Sequence, residues 1–258
     1  EGAERRAEEL YFGGIRRVHE RLSRGGVVYP EGHIVSIWAE LIETLEREGY
    51  CAEEKNGAKG DRNHGVNGTT TGRSLGEDGS KDAGSFGADS RTDRFERVLE
   101  AAFLYEVGTN AVAPMPHATE TLDVLAERGM LLGIVSNAQF YTPLVLEALF
   151  GLPPARMGFL PELTMWSWKA GEAKPSTELF RPPLEYLTHK KGIEADQVLY
   201  IGNDIRNDIY PARKLGCKTV LFAGDRRSLR LREDDERMKE VEPDAVITDL
   251  EQLNRVIR

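Results

Sequence analysis

The hydrophobic pattern divides the chain into two parts with different periods. Before residue 110, apolar residues recur at helical spacing, over residues 11–22, 34–45 and 95–103. A period near 3.6 residues is typical of amphipathic helices that bury one face. We therefore interpret residues 1–110 as a small helical unit.

Residues 56–93 interrupt the helical unit with a different composition. This span is rich in Gly, Asn, Ser, Thr, Asp and Lys, and its large apolar residues are Val66, Leu75 and Phe86. So little apolar surface cannot offset the conformational entropy that ordering would cost. The sequence therefore predicts a disordered insertion over residues 56–93.

After residue 110, short unbroken apolar runs alternate with amphipathic stretches. The runs cover residues 130–135, 159–168, 198–201, 219–222 and 244–248. Such runs are typical of strands buried on both faces of a parallel sheet. Strands separated by helices form right-handed crossovers, so residues 111–258 are predicted to form an α/β core with a Rossmann-like parallel sheet. Thr142 is expected to cap one of its helices, and Pro182 and Pro183 to interrupt another.

Polar residues with useful chemistry follow several of these elements. Ser136 and Asn137 end one strand, Lys174 stands at a predicted helix start, and Asp204 and Asp208 follow another strand. Ligands of open parallel sheets bind beyond the carboxyl ends of the strands. A hydroxyl with backbone amides can bind phosphate, a lysine can neutralise an anion, and carboxylates can hold Mg²⁺. Taken singly, each residue also fits an ordinary role as a turn residue, a surface lysine or a helix cap.

Composition narrows the range of functions. The net charge of −9 over 258 residues argues against nucleic-acid binding, which needs a basic face. No run of about 18 apolar residues is present, so no membrane partner is expected. Cys51 and Cys217 lack metal-ligand spacing and favour a reducing compartment, so we expect a cytoplasmic protein. The basic cluster at residues 226–232 is interpreted as a solvated helix face, because neighbouring acids cancel its charge. The oligomeric state stays open.

Three stretches together resemble the haloacid dehalogenase-like hydrolase superfamily, most of whose members are Mg²⁺-dependent phosphatases. They are residues 133–138 (GIVSNA), 171–175 (GEAKP) and 202–208 (GNDIRND). The resemblance covers roughly residues 94–250. It implies a Rossmann-like core with the helical unit as a small cap domain, which screens the site and selects a small phosphorylated substrate.

The resemblance also implies roles for individual residues. Ser136, with Asn137, would bind the transferring phosphoryl group, and Lys174 would steady the charge on nucleophile and phosphate. The acids of the last stretch would hold Mg²⁺. The family usually has Gly-Asp where this chain has Gly-Asn-Asp at residues 202–204. We favour Asp204 and Asp208 near the metal, with Asn203 as a further oxygen ligand.

A larger departure concerns the nucleophile. The family uses the first Asp of an Asp-x-Asp-x-Thr-like motif after an N-terminal apolar strand, and this chain has no such motif. In the family that strand lies centrally, between the strands that here end at Ser136 and Gly202. We therefore expect a core that lacks its first strand, and a chain that is inactive as given. Our hypothesis is that it is the C-terminal part of a longer protein.

Three functional hypotheses follow from these observations. The first is that the complete protein hydrolyses a small phosphomonoester through an aspartyl-phosphate. The second is a catalytically inactive binding or regulatory protein with the same fold. The third is a dehalogenase acting on a haloacid, a chemistry that this family also hosts.

Overall fold

The computed structural model describes residues 2–50 and 86–257, with side chains from residue 92 onward in the second range. The three helices expected before residue 110 are present. They are α1 (Gly2–Arg24), α2 (Ile34–Arg47) and α3 (Phe86–Thr109). Ile34, Val35 and Ile37 of α2 are buried together with Val98 of α3. This cluster holds the helical unit together.

The predicted insertion is wrong for its last eight residues, since α3 begins at Phe86 and residues 86–93 are helical. Residues 95–103 form a helix with an apolar face, and this helix can extend toward its N-terminus. Each added residue costs little free energy once a helix is nucleated. Residues 56–85 of the predicted insertion lie outside the described residues.

The second part of the chain alternates helices and strands, as predicted. Its elements are α4 (Ala118–Glu127), β1 (Leu132–Ser136), α5 (Thr142–Phe150), β2 (Phe159–Trp166), α6 (Ser167–Ala170), α7 (Arg181–Tyr186), β3 (Leu199–Gly202), α8 (Tyr210–Lys214), β4 (Lys218–Phe222), β5 (Ala245–Ile247) and α9 (Leu253–Val256). The α/β class with parallel strands and flanking helices is thus confirmed. Among the helices described, none is long and apolar enough to cross a bilayer.

Three local predictions in this region are wrong. Lys174 does not stand at a helix start, because residues 174–180 are not helical and α7 begins at Arg181. Pro182 and Pro183 do not interrupt a helix, because α7 begins at Arg181 and both prolines lie in its first turn. A proline is tolerated there because the first helical N–H groups have no partner within the helix. Thr142 is the first residue of α5 rather than its cap, a position that Tyr141 occupies.

The strands form two separate parallel sheets. One contains β1 and β2, and the other has the order β3-β4-β5. Strand β4 is paired on both sides, and its Thr219 and Val220 are fully buried. Within residues 2–50 and 86–257, β1 pairs with β2 alone and β3 with β4 alone. Each of these two strands therefore keeps one free edge.

A compact apolar cluster packs against β3. Leu179 and Phe180, which precede α7, are buried with Ala212 of α8 and with the free thiol of Cys217. The cluster fixes the segment between α6 and α7, which carries Lys174. Cys51, the second cysteine, lies outside the described residues.

We expect Leu179→Ala to lower the free energy of unfolding by about 2–5 kcal/mol, because it removes buried methyl groups and leaves a cavity. Leu179 is 0% exposed, whereas Leu144 on α5 is 52% exposed and provides the control. Leu144→Ala should change stability by about 0.5 kcal/mol or less. Urea unfolding of the three proteins measures both values. Equal losses in the two variants would contradict the packing described for Leu179.

Candidate active site

Lys174 is the point at which three segments of the core meet. Its ammonium group donates hydrogen bonds to Asp208 Oδ1 at 2.6 Å, the Val135 carbonyl at 3.0 Å and the Tyr200 hydroxyl at 3.1 Å. The Lys174 and Asp208 side chains are only 10% and 7% exposed. The buried pair therefore joins the end of β1, the end of β3 and the segment before α7.

The surroundings of Lys174 keep it charged. Burial alone would lower the pKa of Lys174, but Tyr200 and the Asp208 carboxylate outweigh it and raise that pKa above its usual value. Burial raises the pKa of Tyr200 to about 12. At neutral pH the site thus presents an ammonium cation paired with the Asp208 carboxylate, beside a neutral phenol.

Asp208 is held by the turn that follows β3. Its Oδ2 accepts hydrogen bonds from the main-chain N–H groups of Asn203 and Asp204, each at 3.0 Å. Gly202 makes this approach possible, because a Cβ atom there would collide with the Asp208 side chain. With Asp208 in this place, the turn therefore requires a glycine at position 202.

The residues after β1 lie beside Lys174. The Asn137 side chain accepts a hydrogen bond from the Lys174 main-chain N–H at 2.7 Å and donates one to the Lys174 carbonyl at 3.2 Å. Ser136 directly follows Val135, and its hydroxyl makes one long contact of 3.5 Å with the Asn137 carbonyl. The structure thus brings Ser136, Asn137, Lys174 and Asp208 to one edge of the core.

Asp204 has a different environment from Asp208. Its carboxylate forms a two-bond ion pair with Arg232 and accepts hydrogen bonds from the N–H groups of Arg206 and Asn207. Burial would raise the pKa of Asp204, but these hydrogen bonds hold it below its usual value. The role of Asp204 as a metal ligand stays a prediction.

Asn203 offers an oxygen beside this pair of acids. Its side-chain amide donates to the Ser228 carbonyl at 2.7 Å. The side-chain oxygen of Asn203 accepts no hydrogen bond from the residues that the structure describes. It is therefore available to a further ligand.

The prediction of a helix at residues 226–232 is wrong, whereas Arg226, Arg227 and Arg230 are exposed to solvent as expected. The segment is not helical, and its main chain pairs with the end of β3: Arg230 N–H donates to the Asn203 carbonyl, and Ile205 N–H donates to the Arg230 carbonyl. This pairing carries Arg232 to Asp204. The charge pattern gave no signal of it, since the two residues are 28 positions apart.

Tyr200 is a site residue that the sequence could have revealed. Its hydroxyl donates to the Val135 carbonyl at 2.8 Å and lies 3.4 Å from Asp208 Oδ1. A tyrosine in an otherwise apolar buried strand needs a hydrogen-bond partner for its hydroxyl. A tyrosine in the apolar run at residues 198–201 therefore indicated a polar contact at this position.

Glu31 fastens the helical unit to the site. Its carboxylate accepts hydrogen bonds from Gln139 Nε2 and Ser167 Oγ, both at 2.8 Å, and its N–H donates to the Gly171 carbonyl. Burial raises the pKa of Glu31. The link between α1 and α2 is therefore attached to the loop after β1 and to the segment before Lys174.

A second polar cluster lies on the surface. His117 Nδ1 is 2.9 Å from both carboxylate oxygens of Asp249, and Glu251 is close enough to share a cation with them. The hydrogen bond to Asp249 raises the pKa of His117. An exposed histidine–carboxylate pair is stable without a metal, so we assign this cluster no metal role.

Comparisons with known proteins identify a family for this chain. A family model described as haloacid dehalogenase-like hydrolase matches residues 85–222. A phosphoglycolate phosphatase of Haemophilus influenzae is 31% identical over 143 residues, which are 55% of this chain and 56% of that protein. A glyceraldehyde 3-phosphate phosphatase of Methanocaldococcus jannaschii is 30% identical over 135 residues, which cover 51% and 53% of the two chains. The chain thus spans about half the length of these relatives.

A solved structure shares the fold over a longer span. The crystal structure of a 2-haloacid dehalogenase from Pseudomonas syringae pv. Tomato DC3000 has a TM-score of 0.55 and 20% identity, and the match covers 97% of this chain and 80% of that one. The family match includes β1, β3, β4 and the segment of Lys174. The chain therefore belongs to the haloacid dehalogenase-like hydrolase family.

Proposed function

We propose that the complete protein is a Mg²⁺-dependent phosphatase that hydrolyses a small phosphomonoester. The observation that carries this proposal is the buried Lys174–Asp208 pair at the ends of β1 and β3, with polar groups of the strand-end loops around it. The similarity to two phosphatases acting on small phosphorylated metabolites supports it. We also propose that the protein acts in the cytoplasm, as the cysteine usage suggests.

The proposed roles follow from the contacts. The Ser136 hydroxyl and the Asn137 N–H bind the phosphoryl oxygens, because they lie at the carboxyl end of a parallel strand. Lys174 neutralises the negative charge of the phosphoryl group during transfer. Asn137 orients Lys174 through two hydrogen bonds to its main chain. The helical unit, residues 1–110, acts as a cap that Glu31 holds over these loops.

The donor atoms near Asp208 fit a hard divalent cation, since they are carboxylate and amide oxygens. We assign Asp208 and Asn203 as its ligands in this chain. Asp204 is the less suitable ligand, because its two oxygens already bind Arg232 and the N–H groups of the turn. When bound, Mg²⁺ supplies positive charge that offsets the charge of the phosphate.

The reaction needs a carboxylate nucleophile in addition to these residues. A carboxylate oxygen forms a bond to phosphorus while the ester P–O bond breaks, and the departing alkoxide takes a proton to leave as the alcohol. Water then hydrolyses the acyl phosphate, which returns the carboxylate and releases phosphate. Among the residues described, Asp208 is the carboxylate that contacts Lys174, and its hydrogen bonds leave it suited to binding rather than to attack.

A binding or regulatory protein without catalysis is the second candidate. The contacts of Lys174 favour it: within the described part of the chain Asp208 is the one carboxylate that contacts Lys174, and no second carboxylate approaches to act as a nucleophile. The dehalogenase hypothesis has only the shared fold in its favour. Phosphatase turnover by the complete protein separates the first candidate from the other two.

We expect Lys174→Ala to lower kcat for an aryl phosphate by about 100-fold or more in the complete protein, because it removes the cation that offsets phosphoryl charge. Lys190→Ala is the matched control, since Lys190 is exposed on the surface, and it should stay within about twofold of the parent. Circular dichroism checks that both variants fold. Undiminished turnover in Lys174→Ala would overturn the role of this lysine.

Removing divalent cations with a chelator should abolish phosphatase turnover, and adding Mg²⁺ should restore it, because Lys174 alone offsets only part of the phosphate charge. Asp208→Asn should raise the Mg²⁺ concentration needed for half-maximal turnover by about 10-fold or more. Chloride release from a haloacid, measured in parallel, tests the dehalogenase hypothesis. Chloride release that persists in chelator, with no phosphate release in Mg²⁺, would favour the dehalogenase.

We expect Arg232→Ala to destabilise the fold by about 1–3 kcal/mol at pH 7, because it leaves the mostly buried Asp204 carboxylate without its cation. The pKa of Asp204 is depressed in the folded state, so its stabilisation is present above the unfolded pKa and is lost as pH falls through the folded pKa. The difference from the parent should therefore shrink below about pH 4. Urea unfolding at several pH values measures it, with Arg226→Ala on the same loop as control. A difference that is unchanged at pH 3 would contradict the ion pair.

A further inference from the structure

The outer face of α1 carries an aromatic residue between charged ones, far from the Lys174 site in the sequence. A shallow groove of about 310 Å³ on this face is lined by Arg5, Glu8, Glu9, Phe12 and Arg16. All of these residues belong to α1, so no other described element covers the groove. The middle of this helix face is therefore open, and Phe12 is 46% exposed there.

The Phe12 ring is supported from the inner side of the helical unit. It contacts the Tyr11 ring edge-on, with the ring centres 5.3 Å apart. Tyr11 in turn contacts Trp38 of α2 at 5.7 Å and Tyr105 of α3 at 5.3 Å. Aromatic residues that are half exposed and held in place are typical anchors of protein interfaces, because they bury a large area. Tyr105 is itself 41% exposed, so the apolar surface continues from α1 to α3.

Charges are placed at equal distances on both sides of Phe12. Glu8 lies four residues before it and Arg16 lies four residues after it, so all three share one helix face. Both charged side chains are exposed. Within residues 2–50 and 86–257 neither makes an ion pair, whereas the nearby Arg17 is paired with Glu40 at 2.7 Å. Glu8 and Arg16 are therefore available to charges from outside this part of the chain.

We propose that this face of α1 binds the same face of a second copy of the chain, with the two helices antiparallel. The two Phe12 side chains meet at the two-fold axis. The equal offsets then place Glu8 of each copy opposite Arg16 of the other, and the symmetry forms both ion pairs. In a parallel arrangement, Glu8 would face Glu8 and Arg16 would face Arg16, which is repulsive. The charges thus favour the antiparallel arrangement.

The size of the contact sets its strength. Residues 5–20 give a helix–helix contact about 24 Å long, which is smaller than a standard protein interface. The net charge of −9 also makes two copies repel each other at longer range, so association depends on the local contacts of α1. We therefore expect a concentration-dependent dimer with a Kd of about 10 to 100 µM.

Sedimentation velocity of the chain at about 1 to 300 µM tests the proposal. Phe12→Ala should raise the Kd of the dimer by about 10-fold or more, because it removes the aromatic anchor at the centre of the contact. Leu144→Ala is the matched control, since Leu144 is a 52% exposed apolar residue on α5, and its Kd should stay within about twofold. Circular dichroism checks that both variants fold.

Charge reversal tests the antiparallel arrangement. Glu8→Arg places an arginine against Arg16 at two symmetric points, so it should raise the Kd by about 10-fold or more, and Arg16→Glu should do the same. The variant that combines both changes restores the two ion pairs with their signs exchanged, so its Kd should return to within about threefold. Glu185→Arg changes the net charge by the same amount at an exposed position of α7 and should leave the Kd within about twofold.

Three outcomes would overturn the proposal. A chain that stays monomeric at about 300 µM has no such contact. A dimer that is insensitive to Phe12→Ala uses a different surface. A combined charge variant that binds as weakly as the single variants excludes the antiparallel pairing. The result is independent of the proposed phosphatase function, because none of these variants changes a residue that contacts Lys174.

Discussion

The buried ion pair of Lys174 and Asp208 is the interaction on which the rest of the structure depends. A charge removed from water is costly unless it is paired and its remaining hydrogen-bonding groups are satisfied. Here each partner meets that condition through main-chain groups: Lys174 through the Val135 carbonyl, and Asp208 through the N–H groups of Asn203 and Asp204. The pair therefore fixes the relative positions of the two sheets.

A carboxylate of the helical unit also needs hydrogen-bond partners where it leaves water. Gln139 and Ser167 bind the half-buried carboxylate of Glu31, and Ala138 N–H donates to the Ser167 hydroxyl at 2.8 Å. These residues lie in the loop after β1 and at the start of α6, next to the segments that carry Asn137 and Lys174. A movement of the link between α1 and α2 would therefore disturb the loops around the ion pair.

The two acids after β3 acquire different properties from their neighbours. Asp208 lies over Gly202 and faces an ammonium group, whereas Asp204 turns to a guanidinium group contributed by a distant loop. Arg binds a carboxylate through two hydrogen bonds in a fixed plane, so it restrains Asp204 more firmly than a single charge would. Two aspartates four residues apart thus have separate partners and separate environments.

The sequence by itself indicated most of the helices and strands, and the family. Periodicity reports which faces are buried, and three short stretches predicted that Ser136, Lys174 and Asp208 come together. The tertiary structure alone decided the partner of Asp204, the bridge from Tyr200 to Val135 and the fastening of Glu31. These contacts join residues 28, 65 and more than 100 positions apart, so no local pattern encodes them. They depend on where the packed core brings distant loops, and only the folded chain defines that arrangement.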